Sequence, residues 1–261
     1  MLTATLALSG CGRTTVRDGP GERAAPQPPI ATVPRAEPPS KYGNPESYEV
    51  FGKRYYTLKS ATGFAEQGIA SWYGTKFHGR RTSSGETYDM YRMTAAHKQL
   101  PLPTWVEVRN LENNRSVTVR VNDRGPFHEN RIIDLSYAAA LKLDMADAGT
   151  AFVEVRAIDA AGRTVPPARP ATRPAVPAAP PAPAPPLYLQ VGAFGERVNA
   201  ERLAERIGRV APGNVHVQET VSAGRVLYRV RIGPIVSVDM ADAMVAALEG
   251  AGVTEHHFTT D

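Results

Sequence analysis

The sequence predicts two compact units of different class. One is mainly β and forms a small closed barrel over residues 47–159; the other is α+β over residues 187–261. Three observations predict this. Of 23 prolines in 261 residues, eight fall in positions 1–46 and ten in 160–186, leaving five for the other 188. Proline fixes φ and removes a backbone donor, so these two stretches are extended and the rest is folded. Alternating apolar and polar residues, the mark of half-buried strands, dominate 47–159, with room for one clear helix. The last part reads strand–helix–strand–strand–helix–strand, a split βαβ arrangement.

Residues 4–11 form a short apolar run ending in small residues before Cys11. Small residues there suit a signal peptidase, which must reach the backbone closely. A single cysteine excludes an intramolecular disulfide framework and a zinc site built on several cysteines. No apolar run approaches the roughly 18 residues of a membrane-spanning helix. Residues 12–46 are polar, proline-rich and aperiodic, and read as a disordered spacer.

In the barrel unit, Val106–Val108, Val117–Val121 and Phe152–Ile158 alternate. Asn113-Asn114 suits a tight hairpin turn, because Asn tolerates positive φ. A helix follows Asp134, with Ser136 or Asp134 able to cap it and Leu135, Ala138, Ala139, Leu141 and Leu143 supplying its apolar stripe; Asp134 is read as a cap and not as a catalytic residue. Residues 160–186 are mostly Pro and Ala and favour polyproline II, a semi-rigid spacer that spans up to roughly 80 Å at about 3.1 Å per residue. Such a spacer lets two domains engage one polymer at separate points. In the C-terminal unit, Leu187, Leu189 and Val191 alternate with Tyr188, Gln190 and Gly192. The apolar set should pack on the helices, leaving Gln190 and Phe194 on the open face or its edge, with Arg229 and Arg231 sharing that face.

Charge narrows the partner. The barrel unit carries 15 basic against 13 acidic residues, a net +2; the C-terminal unit carries 7 against 9, a net −2; the proline tract alone contributes +3. Nucleic-acid binding depends on clustered cations and, on such a sheet, on stacked aromatics in a basic strand motif, and neither is present. A large, weakly charged polymer fits better.

The motifs then point to a family. Residues 70–74 (ASWYG), 84–89 (SGETYD), 94–97 (TAAH), 122–126 (NDRGP) and 131–136 (RIIDLS) occur in order. Together they resemble the six-stranded double-psi β-barrel of the RlpA (rare lipoprotein A) family of septal-ring lytic transglycosylases, a barrel also found in expansins. Leu189-Gln-Val-Gly-Ala-Phe194 and Tyr228-Arg-Val-Arg-Ile-Gly-Pro234 resemble the SPOR domain, which has a βαββαβ, RNP-like fold and binds septal glycan stripped of stem peptides. Leu8-Ser9-Gly10-Cys11 resembles a lipobox, although no basic segment precedes it. The resemblance then implies that residues 1–11 are a lipoprotein signal, with lipidation at Cys11 and, since residue 12 is Gly, anchoring in the outer membrane facing the periplasm.

Glycosidic cleavage needs an acid to protonate the leaving oxygen and a partner for the oxocarbenium-like centre. Asp123 ends an apolar strand at a barrel rim, and Glu86 sits in a Gly-containing loop of the kind that faces clefts. His97 can orient a carboxylate or move a proton. By resemblance these three match the family's functional residues, with Asp123 as general acid/base, Glu86 as second carboxylate and His97 in support. Trp72, Tyr73 and Tyr88 are candidate sugar platforms, and Arg124 is a candidate substrate ligand. Gln190, Phe194 and Arg229 are the candidate glycan ligands of the C-terminal sheet. The reading is a lytic transglycosylase that cleaves the MurNAc–GlcNAc bond of denuded septal glycan; the alternative is a non-catalytic, expansin-like wall-binding lipoprotein. No metal or organic cofactor is implied, no nucleic-acid partner is expected, and a monomer is expected.

Overall fold

The computed structural model describes residues 33–163 and 186–260, apart from residues 129, 212 and 223. Cys11, the expected signal over 1–11, most of the expected spacer over 12–46 and residues 164–185 of the expected linker lie outside the described residues. Among the described residues, fifteen elements follow in chain order. A two-stranded hairpin pairs β1 (Ser47–Val50) with β2 (Lys53–Tyr56). Its turn at Phe51-Gly52 has positive φ at both residues, which matches the twist of the flanking strands. The barrel itself starts only at β3 (Ala65–Tyr73), so the sequence placed its beginning too early. It continues with β4 (Thr94–His97), β5 (Thr104–Asn110), β6 (Ser116–Asp123), β7 (Arg131–Ser136), α1 (Tyr137–Lys142) and β8 (Thr150–Ala157).

These six strands close in the order β3-β7-β4-β6-β5-β8. The β3–β7 and β4–β6 pairs are parallel and the other neighbours antiparallel. The core is the inward row that alternation predicts: Val106 and Val108 on β5, Val117, Val119 and Val121 on β6, Val153 and Val155 on β8. At the β5–β6 turn Asn114 takes φ +59, as an Asn-rich turn requires. The helix after Asp134 is α1, and Ser136 alone caps it: its Oγ accepts from Ala139 N at 3.2 Å. Asp134 is a correction. It lies within β7, where its carboxylate accepts a hydrogen bond from Ser71 Oγ.

The C-terminal unit comprises β9 (Leu187–Phe194), α2 (Arg197–Gly208), β10 (Val215–Ser222), β11 (Arg225–Ile235), α3 (Val238–Gly250) and β12 (His257–Thr259). Its sheet runs β10-β11-β9-β12, antiparallel throughout. Leu187, Leu189, Val230 and Ile232 meet Ala241, Met244, Val245 and Leu248 of α3 in one core. The register shifts between Gln190 and Gly192, so Val191 is an extra residue, a bulge on β9.

The two units touch. Ile69, Leu111 and Phe152 point outward from the barrel and join the C-terminal core. Phe152 lies 5.9 Å from Phe258, and Arg131 pairs with Asp242 at 3.1 Å. This explains why β8 is buried nearly along its length instead of alternating. Cutting the linker with a site-specific protease should leave the halves co-eluting on gel filtration, and Phe152→Asp should release them, because it sets a charge against Phe258. Separation of the wild-type halves would refute the contact.

Candidate functional site

The site is built at the end of β6. Thr94 pairs with Arg120 and Ala95 with Val121, but Ala96 pairs with Asp123, which leaves Asn122 as a bulge. Bulges at barrel rims re-aim side chains, and here Arg120, Asn122 and Asp123 all reach the loop between β3 and β4. That loop turns tightly at Thr82–Gly85, where Gly85 N donates to Thr82 O at 2.9 Å and Gly85 takes φ +90.

Two carboxylates are held there. Asp123 Oδ1 accepts from Ser83 N (2.7 Å), Ser83 Oγ (2.7 Å) and Arg124 N (2.8 Å). Three donors on one oxygen fix the orientation of the carboxyl group before any ligand arrives. Glu86 accepts from Arg120 Nη1 at 2.8 and 2.9 Å and from Asn122 Nδ2 at 2.9 Å. Glu86, Asp89, Arg92, Asn122, Arg120 and Arg35 line a cleft of about 540 Å³.

Arg120 also holds Glu37, through Nε at 2.9 Å and Nη2 at 2.8 Å. Burial pushes the Glu37 carboxyl up, but the hydrogen bonds and charge of Arg120, with Arg35 and Trp105, outweigh it and hold it below the usual carboxylate range. Burial opposes the charge on Arg120, and the two glutamates restore it and raise its pKa.

On the other side of Asp123, Tyr48 stacks on Tyr55 at 5.4 Å, and Phe127 meets both rings at 6.2 and 5.6 Å. Tyr48, Val50, Phe127, Ser83 and Arg124 line a second hollow of about 380 Å³.

Residues 65–155 match a family described as lytic transglycolase, with a double-psi β-barrel, and residues 183–256 match the SPOR domain. A Pseudomonas aeruginosa protein named endolytic peptidoglycan transglycosylase RlpA is 40% identical over 257 residues, covering 80% of this chain and 75% of its own. A Vibrio cholerae protein of the same name is 38% identical over 256 residues, covering 96% of this chain and 92% of its own. The chain belongs to the RlpA family. Among solved structures, the RlpA SPOR domain from Pseudomonas aeruginosa aligns with 29% of this chain and 99% of its own, at 32% identity and a TM-score of 0.28.

Within this RlpA-family chain, the structure brings Glu86 and Asp123 to one rim but redistributes the other expected site residues. His97 is buried and points elsewhere. Its Nδ1 accepts from Gln99 N (3.1 Å) and Leu100 N (3.0 Å), and its Nε2 faces Glu66 Oε2 at 3.4 Å. Its ring therefore organises the turn after β4 rather than supporting the two carboxylates.

Tyr73 and Tyr88 are no platform. They are buried and stacked on each other at 4.0 Å, and the Tyr88 hydroxyl donates to Tyr73 O. Trp72 packs on Tyr137 and donates to Ala146 O at 3.1 Å. Arg124 lines the second hollow and clamps the rim: it donates to the carbonyls of Gly43 (2.9 Å) and Leu100 (2.6 Å), and burial lowers its pKa.

In the SPOR unit, Gln190 lies opposite Arg231 and His257, away from the helices, and is almost fully buried; Arg229 lies opposite Gln218. Burial and the charges of Arg229 and Arg231 lower the pKa of His257. Arg231, expected to share the open face, is instead buried, at 2% exposed. Phe194 is a correction. The bulge at Val191 turns it to the helix side, where it lies against Leu203 in a hollow that also meets Arg202 and Arg206.

Sequence reasoning missed Arg120, Asn122, Glu37 and the Tyr48–Tyr55–Phe127 cluster. Arg120 and Asn122 share the strand of Asp123, and their i, i+2 spacing was a usable signal. The hairpin aromatics had none, since their partner Phe127 follows β6.

Proposed function

We propose that the barrel cleaves peptidoglycan glycan strands by intramolecular transglycosylation, with the SPOR sheet holding denuded glycan nearby. The observation that carries this is the pair of oriented carboxylates, Asp123 and Glu86, on the rim of a barrel of this family. Asp123 protonates the O4 leaving oxygen as the C1–O4 bond of the muramic residue breaks. The C6 hydroxyl oxygen of the same sugar bonds to C1, and a carboxylate of the pair takes its proton. No water is consumed, and the products are a 1,6-anhydro end and a free 4-hydroxyl. Glu86, pinned by Arg120 and Asn122, supplies negative charge near the developing oxocarbenium centre. Tyr48, Tyr55 and Phe127 offer aromatic faces to the sugars on the Asp123 side, the task first assigned to Trp72, Tyr73 and Tyr88. The SPOR face that carries the partly exposed Arg229 binds glycan stripped of peptides and brings the chain to the division septum; Gln190, buried beneath it, supports that face. Lipidation at Cys11 anchors it to the outer membrane, facing the periplasm, and it acts as a monomer.

Purified protein incubated with intact and amidase-treated sacculi should release soluble fragments with anhydro-muramyl ends, read by mass spectrometry, with more from the treated sacculi. Reducing ends instead would indicate hydrolysis. Retained sacculus binding with no soluble product would replace this reading with the expansin-like binder.

A further inference from the structure

We propose that Glu37, ahead of the hairpin and outside the matched barrel region, is a positioning residue for Glu86 that acts through Arg120. The proposal rests on the reading of the barrel as a glycan-cleaving site. A guanidinium is rigid and planar, so fixing one edge fixes the direction of its remaining nitrogen. Glu37 grips the Nε–Nη2 edge of Arg120 with both oxygens, at 2.9 and 2.8 Å, which leaves Nη1 aimed at both oxygens of Glu86. The two contacts differ in setting. The Glu37 and Arg120 side chains are 15% and 13% exposed, whereas that of Glu86 is 43% exposed. An exposed ion pair alone holds its geometry weakly, because water competes and side-chain freedom is lost. The sheltered half of the relay is what keeps the exposed half in place. Glu37 has a further tie, accepting from Trp105 Nε1 at 3.2 Å.

The segment that carries Glu37 is itself fastened to the site. Ser40 N donates to Leu102 O at 2.8 Å, and Asn44 exchanges two 2.7 Å bonds with the Leu102 backbone. Gly43, at φ +86, lies so close to the Ser83 loop that a Cβ there would fall 2.8 Å from Ser83 O. Arg35, two residues before Glu37, lines the Glu86 cleft. Residues 33–46, read from the sequence as part of a spacer, thus form a strap along the catalytic rim.

The test uses the full chain with Glu37→Gln. Glutamine keeps the size but turns an amide toward the guanidinium, so the two-oxygen grip is lost. The expected result is a kcat for anhydro-product release lower by about 10-fold or more, with KM within about twofold and amide exchange of residues 82–88 faster than in wild type. Asn44→Ala loosens the strap without touching Arg120 and should lower the melting temperature while sparing kcat and loop exchange. An unchanged kcat and unchanged loop exchange in Glu37→Gln would overturn the proposal. So would an Asn44→Ala variant that reproduces both effects, since Glu37 would then merely hold the strap. If the wild-type chain releases no anhydro ends, the reading of the barrel fails, and the exchange comparison still decides this one.

Discussion

Asp123→Asn should abolish detectable release of anhydro-muramyl fragments while leaving the fold intact. General acid–base catalysis by one positioned group contributes about 10²–10⁴-fold, so the loss should fall in that range. The substitution is well matched to the site. The three bonds on Asp123 come from Ser83 N, Ser83 Oγ and Arg124 N, and all fall on one oxygen. The amide oxygen of Asn can accept all three, so stability should stay within about 0.5 kcal/mol of wild type. What Asn cannot do is hand a proton to a leaving oxygen and take one back. Thermal unfolding by circular dichroism checks the fold, and mass spectrometry of soluble products checks the chemistry. Sacculus binding should persist, because the SPOR sheet is untouched. Undiminished anhydro-product release from Asp123→Asn would remove Asp123 from the mechanism. Glu86→Gln gives a useful contrast. It removes a charge held by Arg120 and Asn122 rather than the proton donor, and its loss should be smaller.

The fold was legible wherever local pattern decides it. Period-2 alternation marked β5, β6 and β8, and the strand–helix order of 187–261 marked the split βαβ sheet. The rim positions of both carboxylates were legible, because each sits in a short run whose neighbours are part of its setting: Ser83 near Gly85 for the loop, Asn122 and Arg124 beside Asp123. Contacts that span the chain were not. Glu37 and Arg120 are 83 positions apart, and Glu37 lies in a Pro-rich stretch whose composition signals extension, not attachment. A single inserted residue was equally invisible. The bulge at Val191 flips every later residue of β9 and carries Phe194 from the open face to α2. The aromatic motif failed for a third reason. Tyr73 and Tyr88 have the same composition as a sugar platform or a core layer, and only burial separates the two, while the partly buried Trp72 is taken up by Tyr137 and the Ala146 carbonyl.

His97→Ala should act on stability, not on chemistry. The imidazole is buried, and its Nδ1 accepts two backbone N–H groups, those of Gln99 and Leu100. Alanine leaves a cavity and orphans both donors, a combined cost of about 3 kcal/mol. Turnover by the folded fraction at pH 7.5 should stay within a few-fold of wild type. A catalytic histidine would give the reverse, with large losses in kcat and little change in melting temperature. The pH dependence adds a second signature. Burial lowers the His97 pKa below its ordinary 6.5, against the pull of Glu66. In the unfolded chain His97 takes up a proton near pH 6.5; in the folded chain it stays neutral to lower pH, because a protonated Nδ1 would lose both backbone donors. The unfolded state therefore binds more protons as pH drops below 6.5, and the stability present above that pH is progressively lost toward the lower, folded pKa. The melting temperature of the wild-type chain should fall between pH 7 and pH 5. In His97→Ala the same titration should be flatter, with a residual slope from His257, whose pKa is also lowered by burial beside Arg229 and Arg231. Equal slopes in the two proteins would show that His97 does not titrate in this window, and with it the buried-acceptor role would fall.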